Sequence, residues 1–380
     1  MRASGRDGSP PTDRLAVGLS TLAAHLPTPL RRRLGRIKRS LLRNLRSAER
    51  AAGSSHSPGP HQDPLKAGAT TTPAPTRLQI RRDFVFRTAD QAGAALEIGP
   101  AHNAILPKRD GFNTKTVDYL DRAGLVEKYR SFKQYSPDNI EDVDYVLPVG
   151  ASMSDVIHER FDLVLASHVL EHTVSLIDFL NECTKLLAPN GVISLVVPDH
   201  RYCFDRFRER SSIGRVIDMS ISRPSVHSVG TMTEFTLNAV KHRDATSWVA
   251  GHKGRYRFVH DLDEVRANAA SAAGDTYIDV HNWVFTPNHL RLLLQDLHAL
   301  GLISVREAAF QDTIGHEFFL NLQVEAPGTG LSRAELIVLA SAEQATMDAP
   351  VFEPMPVAAV EGGDPSAGAS QAMHPEASDR

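Results

Sequence analysis

Cysteine is almost missing from this chain: only Cys183 and Cys203 occur in 380 residues. Two thiols build neither a disulfide framework nor a structural zinc site, so a reducing compartment is expected. Long apolar runs are missing too. None reaches the ~18 residues that a spanning helix needs. Leu15–Leu26 is short, is interrupted by Ser20, Thr21 and His25, and is followed by Pro27 and Pro29, so it makes a poor signal peptide. The expected location is cytoplasmic, with peripheral contact at the inner face of a membrane as the further option. Glycine is scarce where a phosphate-binding loop would need it. After the apolar run Ala95-Leu96-Glu97-Ile98 there is Gly99-Pro100, and the place of a second loop glycine is taken by Ala101. A pyrophosphate cradle of the three-glycine kind is therefore not expected.

What is present is an uneven charge distribution. The net charge is only −3, yet residues 31–50 hold nine Arg or Lys against one acid, and residues 331–380 hold eight acids against two Arg. Leu30, Leu34, Ile37, Leu41 and Leu45 recur at helical spacing among those basic residues. This predicts a basic amphipathic helix near 30–47, suited to an anionic membrane surface or nucleic acid, or else simply solvated or docked on the protein's own acidic surface. No specific nucleic-acid partner is expected. Residues 51–75 are rich in Ser, Gly, Pro, Ala and Thr and read as a linker, so 1–75 forms a disordered basic extension around that helix. Residues 326–380 read as an acidic disordered tail with a short helix near Ala334–Ala345.

Between these ends the pattern alternates. Ala94–Ile98, Asn113–Val117, Val143–Leu147, Phe161–Ala166 and Val192–Val197 read as strands, several of them continuously apolar. Leu120–Tyr129 and Val174–Leu187 read as helices between them. Continuous apolar strands alternating with helices predict a mostly parallel sheet covered on both faces. Pro287–Leu300 follows as a helix, then Ser304–Phe310 and Glu317–Val324 as strands joined through Gln311–His316. Residues 205–280 break the alternation and read as a helical lid at the sheet's carboxyl edge. With ten Arg or Lys against four acids over 206–257, this lid suggests an anionic substrate. The expected division is a core over 76–204, the lid over 205–280, and the rest of the core over 281–325.

A strand that delivers an acid and a tight glycine turn, followed by a second strand ending in an acid, is how open α/β folds hold a nucleoside. Glu97, Gly99 and Asp118 have that arrangement. The segments FDLVLASHVLEH (Phe161–His172) and LLAPNGVISLVVP (Leu186–Pro198) then carry a resemblance. With Glu97-Ile98-Gly99-Pro100 and Asp118, they resemble the ordered motifs of class I S-adenosylmethionine-dependent methyltransferases over about 80–325. The resemblance implies a Rossmann-like three-layer sandwich with a seven-stranded, mostly parallel sheet and an antiparallel closing strand. It implies S-adenosyl-L-methionine as cofactor, held by Glu97, Gly99 and Pro100 at its amino-acid end and by Asp118, with Asp121 as runner-up, at the ribose. It places the adenine near Asp144–Ser152 and Ala166–His168, including Ser167 and His168.

An oxygen acceptor needs a base that titrates near neutrality, and His supplies one. His200 is the first candidate and Asp199 the second, because both follow the fifth strand. Asp199 also suits a helix cap. Arg201 is expected to hold an anionic acceptor and His281 to line its pocket. The acceptor is expected to be a small molecule or a glycan, with O-methylation in cell-surface polysaccharide assembly as the setting. His168-Val169-Leu170-Glu171-His172 mimics a zinc-protease motif, but its acid is displaced and no third ligand stands at a recognisable spacing, so no metal is expected. Two other readings stay open. Tyr129 and Lys133 form the Tyr-x-x-x-Lys of NAD-dependent sugar oxidoreductases and epimerases, although too early in the chain. The same fold could also serve as a non-catalytic binding scaffold.

Overall fold

The computed structural model describes residues 75–131, 136–242, 245–246, 255–347 and 350–352. The basic helix expected near 30–47, the linker and the last 28 residues lie outside the described residues.

The chain enters through α1 (Arg77–Val85), which starts at a capping box between Thr76 and Gln79 and buries Phe84 and Val85. The strands β1 (Ala95–Ile98), β2 (Thr114–Asp118), β3 (Tyr145–Val146), β4 (Phe161–Ser167) and β5 (Leu187–Pro198) pair in parallel. Helices α2 (Arg122–Tyr129), α3 (Met153–Val156) and α4 (Leu176–Lys185) connect them. Late in the chain, α8 (Pro287–Ala299) leads to β9 (Arg306–Ile314) and β10 (Glu317–Gln323). β10 inserts antiparallel beside β5, giving the sheet order β3-β2-β1-β4-β5-β10-β9.

The strands are apolar on both faces because both faces are covered. Along β4, Val164 and Ala166 join one core cluster with Leu176, Leu180, Leu290 and Leu294 of α4 and α8. Their neighbours Leu163 and Leu165 point the other way, to Phe84 and Val85 of α1. Cys183 and Cys203 are both buried and unpaired.

The Pro189-Asn190-Gly191 turn is part of β5 rather than a break before it. Asn190 takes φ 64°, and a Cβ at Gly191 would lie 2.9 Å from the Phe161 carbonyl oxygen and 3.0 Å from that of Ala188. The closing hairpin is tighter than Gln311–His316, since β9 runs on to Ile314 and only Gly315 and His316 remain to turn.

Two expectations change. The lid is not wholly helical. Besides α5 (Ile213–Ser222), α6 (Val229–Asn238) and α7 (Leu262–Ser271), it holds the short strands β6 (Val240–His242), β7 (Ala245–Thr246) and β8 (Arg255–Phe258) of a second sheet. The short helix expected near Ala334–Ala345 is present, but it is packed into the core rather than set in a disordered tail. α9 (Arg333–Ala345) opens with a Ser332–Glu335 capping box and buries Leu336, Leu339 and Ala340. Its Glu343 carboxylate accepts the Asn288 backbone N–H at 3.0 Å, which caps the start of α8. Beyond it, β11 (Val351–Phe352) pairs with β8. A helix stripe that buries three apolar residues outweighs an Ala-, Gly- and acid-rich average.

Gly191→Ala should destabilise the fold by about 1–3 kcal/mol, because both opposing atoms are backbone. The expected result is a melting temperature several degrees lower by circular dichroism. An unchanged melting curve would mean that the turn yields.

Candidate active site

A cleft of about 1510 Å³ opens at the carboxyl ends of β1, β2 and β4, where their loops leave the sheet. This is where open α/β sheets bind ligands.

The β1 loop is shaped by Gly99 and Glu97. Gly99 has φ +60° and donates its N–H to the Val117 carbonyl at 2.9 Å, and a Cβ there would sit a close 3.3 Å from the Val169 side chain. Glu97 is 1% exposed, and its carboxylate accepts the N–H groups of Ile105 at 2.7 Å and Leu106 at 3.0 Å. Burial pushes its pKa up to about 7, against the pull of those two amides. The structure thus places Glu97 in the cleft wall as the anchor of the 99–106 loop, with both oxygens engaged. Ala101 takes φ 46°, so the residue in the second-glycine position adopts a left-handed conformation.

Asp118 ends β2 and faces the cleft, 8% exposed, with Oδ1 accepting the Tyr119 N–H at 2.7 Å. Burial raises its pKa to about 6, opposed by that amide and by Lys128. Asp121 is absent from the cleft wall. It caps α2 by accepting the Gly124 N–H at 2.8 Å. Leu147–Met153, Pro100, Ser167 and His168 line the same cleft.

On the β4 side the wall is rich in imidazoles and carboxylates. His168 has φ 53°, an uncommon conformation for a residue with a side chain and one that needs support from its surroundings. Its Nε2 lies 3.0 Å from Glu317 Oε2 and its Nδ1 3.6 Å from Glu171 Oε1. Glu317 also accepts Arg81 through both oxygens, at 2.9 and 2.6 Å. Burial would raise the Glu317 pKa, but His168 and Arg81 hold it well below the usual carboxylate range.

A strap formed by residues 277–283 crosses this end. Asp279 takes Lys128 Nζ at 2.9 Å and approaches His172 Nδ1 at 2.8 Å. Against the downward push of burial, Asp279 raises the His172 pKa. His281 lines the cleft and stands edge-on to His172, with ring centroids 4.8 Å apart.

The structure does not bring Asp199, His200 and Arg201 to this cleft. Asp199 is fully buried and accepts Arg201 Nη2 at 2.5 Å and Thr313 Oγ1 at 2.6 Å. His200 is 1% exposed with Nε2 near the Asp205 carbonyl at 3.3 Å, and burial lowers its pKa to about 4. Arg201 spends its guanidinium on Asp199 and Thr346. Position after β5 put these residues near the site in sequence, but the chain turns inward there.

The basic lid is also turned inward in part. Arg208 bonds Asp205, Glu234 and the carbonyls of His281 and Asn282. Arg215 bonds Asn282 and Thr231 and lies over Trp283, and Arg206 pairs with Tyr256. Of the lid's arginines, Arg223 lines the cleft.

Lys128, Tyr277, Asp279, His316 and Glu317 were not legible as site residues in the sequence, and Glu171 was legible only within the His-Val-Leu-Glu-His element. A signal existed for the strap. Tyr277, Asp279 and His281 are spaced by two, which in an extended segment sends their side chains to one side.

The model of a methyltransferase domain matches residues 74–296. No curated protein matches the chain significantly in sequence. Among solved structures, the CcbJ methyltransferase from Streptomyces caelestis is 21% identical, covering 34% of this chain and 50% of its own, with a TM-score of 0.25. The glycopeptide N-methyltransferase MtfA is 12% identical over 65% of this chain and 89% of its own, with a TM-score of 0.33. An S-adenosylmethionine-dependent methyltransferase from Clostridium acetobutylicum is 10% identical over 64% and 89%, with a TM-score of 0.34. Likenesses that distant carry no argument about the acceptor. The match over 74–296 sets aside the oxidoreductase reading, whose Lys133 lies outside the described residues. With that match and the sheet order on which the cleft is built, the chain belongs to the methyltransferase-domain family and is a class I S-adenosylmethionine-dependent methyltransferase.

Proposed function

We propose that the chain methylates a hydroxyl group of a small-molecule or glycan acceptor lodged against the β4 side of the cleft. The observation that carries this is one cleft walled by Gly99 and Asp118 on the β1 and β2 side and by His168, Glu171, His172 and His281 on the other.

The donor fits the first wall. Gly99 turns the chain at the cleft wall with a positive φ that favours glycine, and Asp118 presents a buried carboxylate suited to paired ribose hydroxyls. Gly99 and Pro100 would take the amino-acid end, with Glu97 fixing the loop that carries them. Leu147–Met153 and Ser167 would flank the adenine. S-adenosylmethionine, when bound, supplies a sulfonium methyl group whose sulfur leaves as a neutral thioether.

The chain's own contribution is position and proton handling. In-line placement of acceptor and donor can supply about 7–11 kcal/mol of the barrier. In this reading His168 takes the acceptor proton, with Glu317 and Arg81 orienting its ring as a carboxylate orients a catalytic imidazole. Its strained backbone supports that role, because strain concentrates where a side chain must be aimed. Arg223 at the cleft wall supports an acceptor carrying negative charge. The basic sequence over 31–50 supports contact with an anionic membrane surface in the same setting.

Asp118→Asn should weaken S-adenosylmethionine binding about tenfold by calorimetry, as expected for lost charge-assisted hydrogen bonds. Asp118, near pKa 6, binds best when ionised, so wild-type affinity should fall as pH drops through that value. The variant should lack this part of the fall, and a pH-independent wild type would refute the ribose role. Methyl-labelled donor incubated with fractionated small molecules and glycans should label one of those fractions. His168→Ala should slow the transfer about 10²–10⁴-fold while donor affinity holds. Label confined to protein would refute the acceptor class.

A further inference from the structure

Glu171, His172 and His281 place their ligand-capable atoms within 4.8 Å of one another. All three line the cleft. Glu171 is 1% exposed, and neither of its carboxylate oxygens has a hydrogen-bond partner among the described residues. A buried carboxylate left so is costly unless a cation meets it. Two imidazole nitrogens stand near it, His168 Nδ1 at 3.6 Å and His172 Nε2 at 3.9 Å.

The two histidines are each backed by a carboxylate. His172 Nδ1 lies 2.8 Å from Asp279, which Lys128 also holds. His281 Nδ1 lies 3.1 Å from Asp205, which Arg208 holds in turn. Carboxylates behind imidazoles fix ring orientation and direct the other nitrogen outward, as the outer sphere of metal sites does.

The backbone holds the group together. Asn282 and Trp283 donate their N–H groups to the Glu171 carbonyl at 2.7 and 3.0 Å, and the Trp283 indole donates to Thr173 at 2.7 Å. The strap residue His281 is thereby carried to the turn that holds Glu171 and His172.

We propose that Glu171, His172 and His281 form a binding site for one divalent first-row transition metal ion, with its remaining positions facing the cleft. Two imidazoles and one carboxylate suit such an ion. Donors bound at about 2.0–2.2 Å stand roughly 3–3.5 Å apart, so closing onto the ion takes side-chain movements of about 1 Å. The neighbouring set His168, His316 and Glu317 is less suited, because Arg81 already neutralises Glu317. The site does not depend on how the acceptor is read.

The full-length chain, stripped with a chelator, is titrated with Zn²⁺ by calorimetry and with Co²⁺ by visible absorption. One equivalent should bind, and Co²⁺ should develop ligand-field bands. Glu171→Gln and His281→Ala should weaken that binding at least tenfold, and Asp279→Asn, which keeps every proposed ligand, about 10–100-fold. Thermal melts identify any variant that fails to fold, and then Asp279→Asn decides. Absent Co²⁺ bands in the folded wild type, or equal affinity in wild type and folded variants, as for uptake by other histidines, would overturn the site. Donor binding measured in the same samples separates the two readings. Donor binding without metal uptake overturns the site alone, and metal uptake without donor binding overturns the donor reading alone.

Discussion

The Glu171 carbonyl accepts two backbone N–H groups, from Asn282 and Trp283, and the cleft depends on that contact. It joins the turn after β4 to a strap more than a hundred residues later in the chain. Without it, Asp279 would not bridge Lys128 and His172, and His281 would not stand beside His172. Two N–H groups on one carbonyl are individually modest in water. In a buried setting the alternative is unsatisfied backbone, which makes the arrangement cooperative. The Asn282 side chain adds bonds to the Thr173 and Val174 carbonyls, so the strap is held by main chain and side chain together.

Charge behaves here as structure before it behaves as recognition. Arg206, Arg208 and Arg215 made the lid look like an anion collector, yet each is bonded to lid and strap groups. Arg201 is similarly consumed by Asp199. Guanidinium groups have five donors, and carbonyl-rich turns at the end of a sheet absorb them readily. The cleft, by contrast, gathers carboxylates and imidazoles whose burial shifts their pKa values in opposite directions. Glu97 and Asp118 go up, and His316 goes down to about 3. Burial disfavours the charged form in each case.

Much of the scaffold was legible. Phe161–Ala166 and Val192–Val197 could hardly be anything but central strands, because an apolar run bounded by turn residues has to be covered on both sides. Gly99 and Asp118 were legible for a related reason, since the ends of such strands converge at one edge of the sheet. The helix of α9 was legible near Ala334–Ala345, but its packing was not. Its burial depends on α8 offering a complementary face, and composition says nothing about that. Asp199, His200 and Arg201 were misread because proximity to a strand end was taken for orientation. A side chain one residue past a strand is free to face either the cleft or the core.

By itself the sequence determined the alternation of strand and helix, and with it the parallel sheet, the β1 turn at Gly99 and the carboxylate at Asp118. These are local properties: a period, a φ value that glycine tolerates, an acid at a strand end. Which side chains meet across the cleft was decided only by tertiary structure. His-Val-Leu-Glu-His held two imidazoles and an acid with no third partner in view, because the partner sits 109 positions beyond His172, in the strap. Spacing along a chain records neighbours within one element. Only the docking of the strap, through hydrogen bonds to backbone carbonyls, brings His281 to Glu171 and His172.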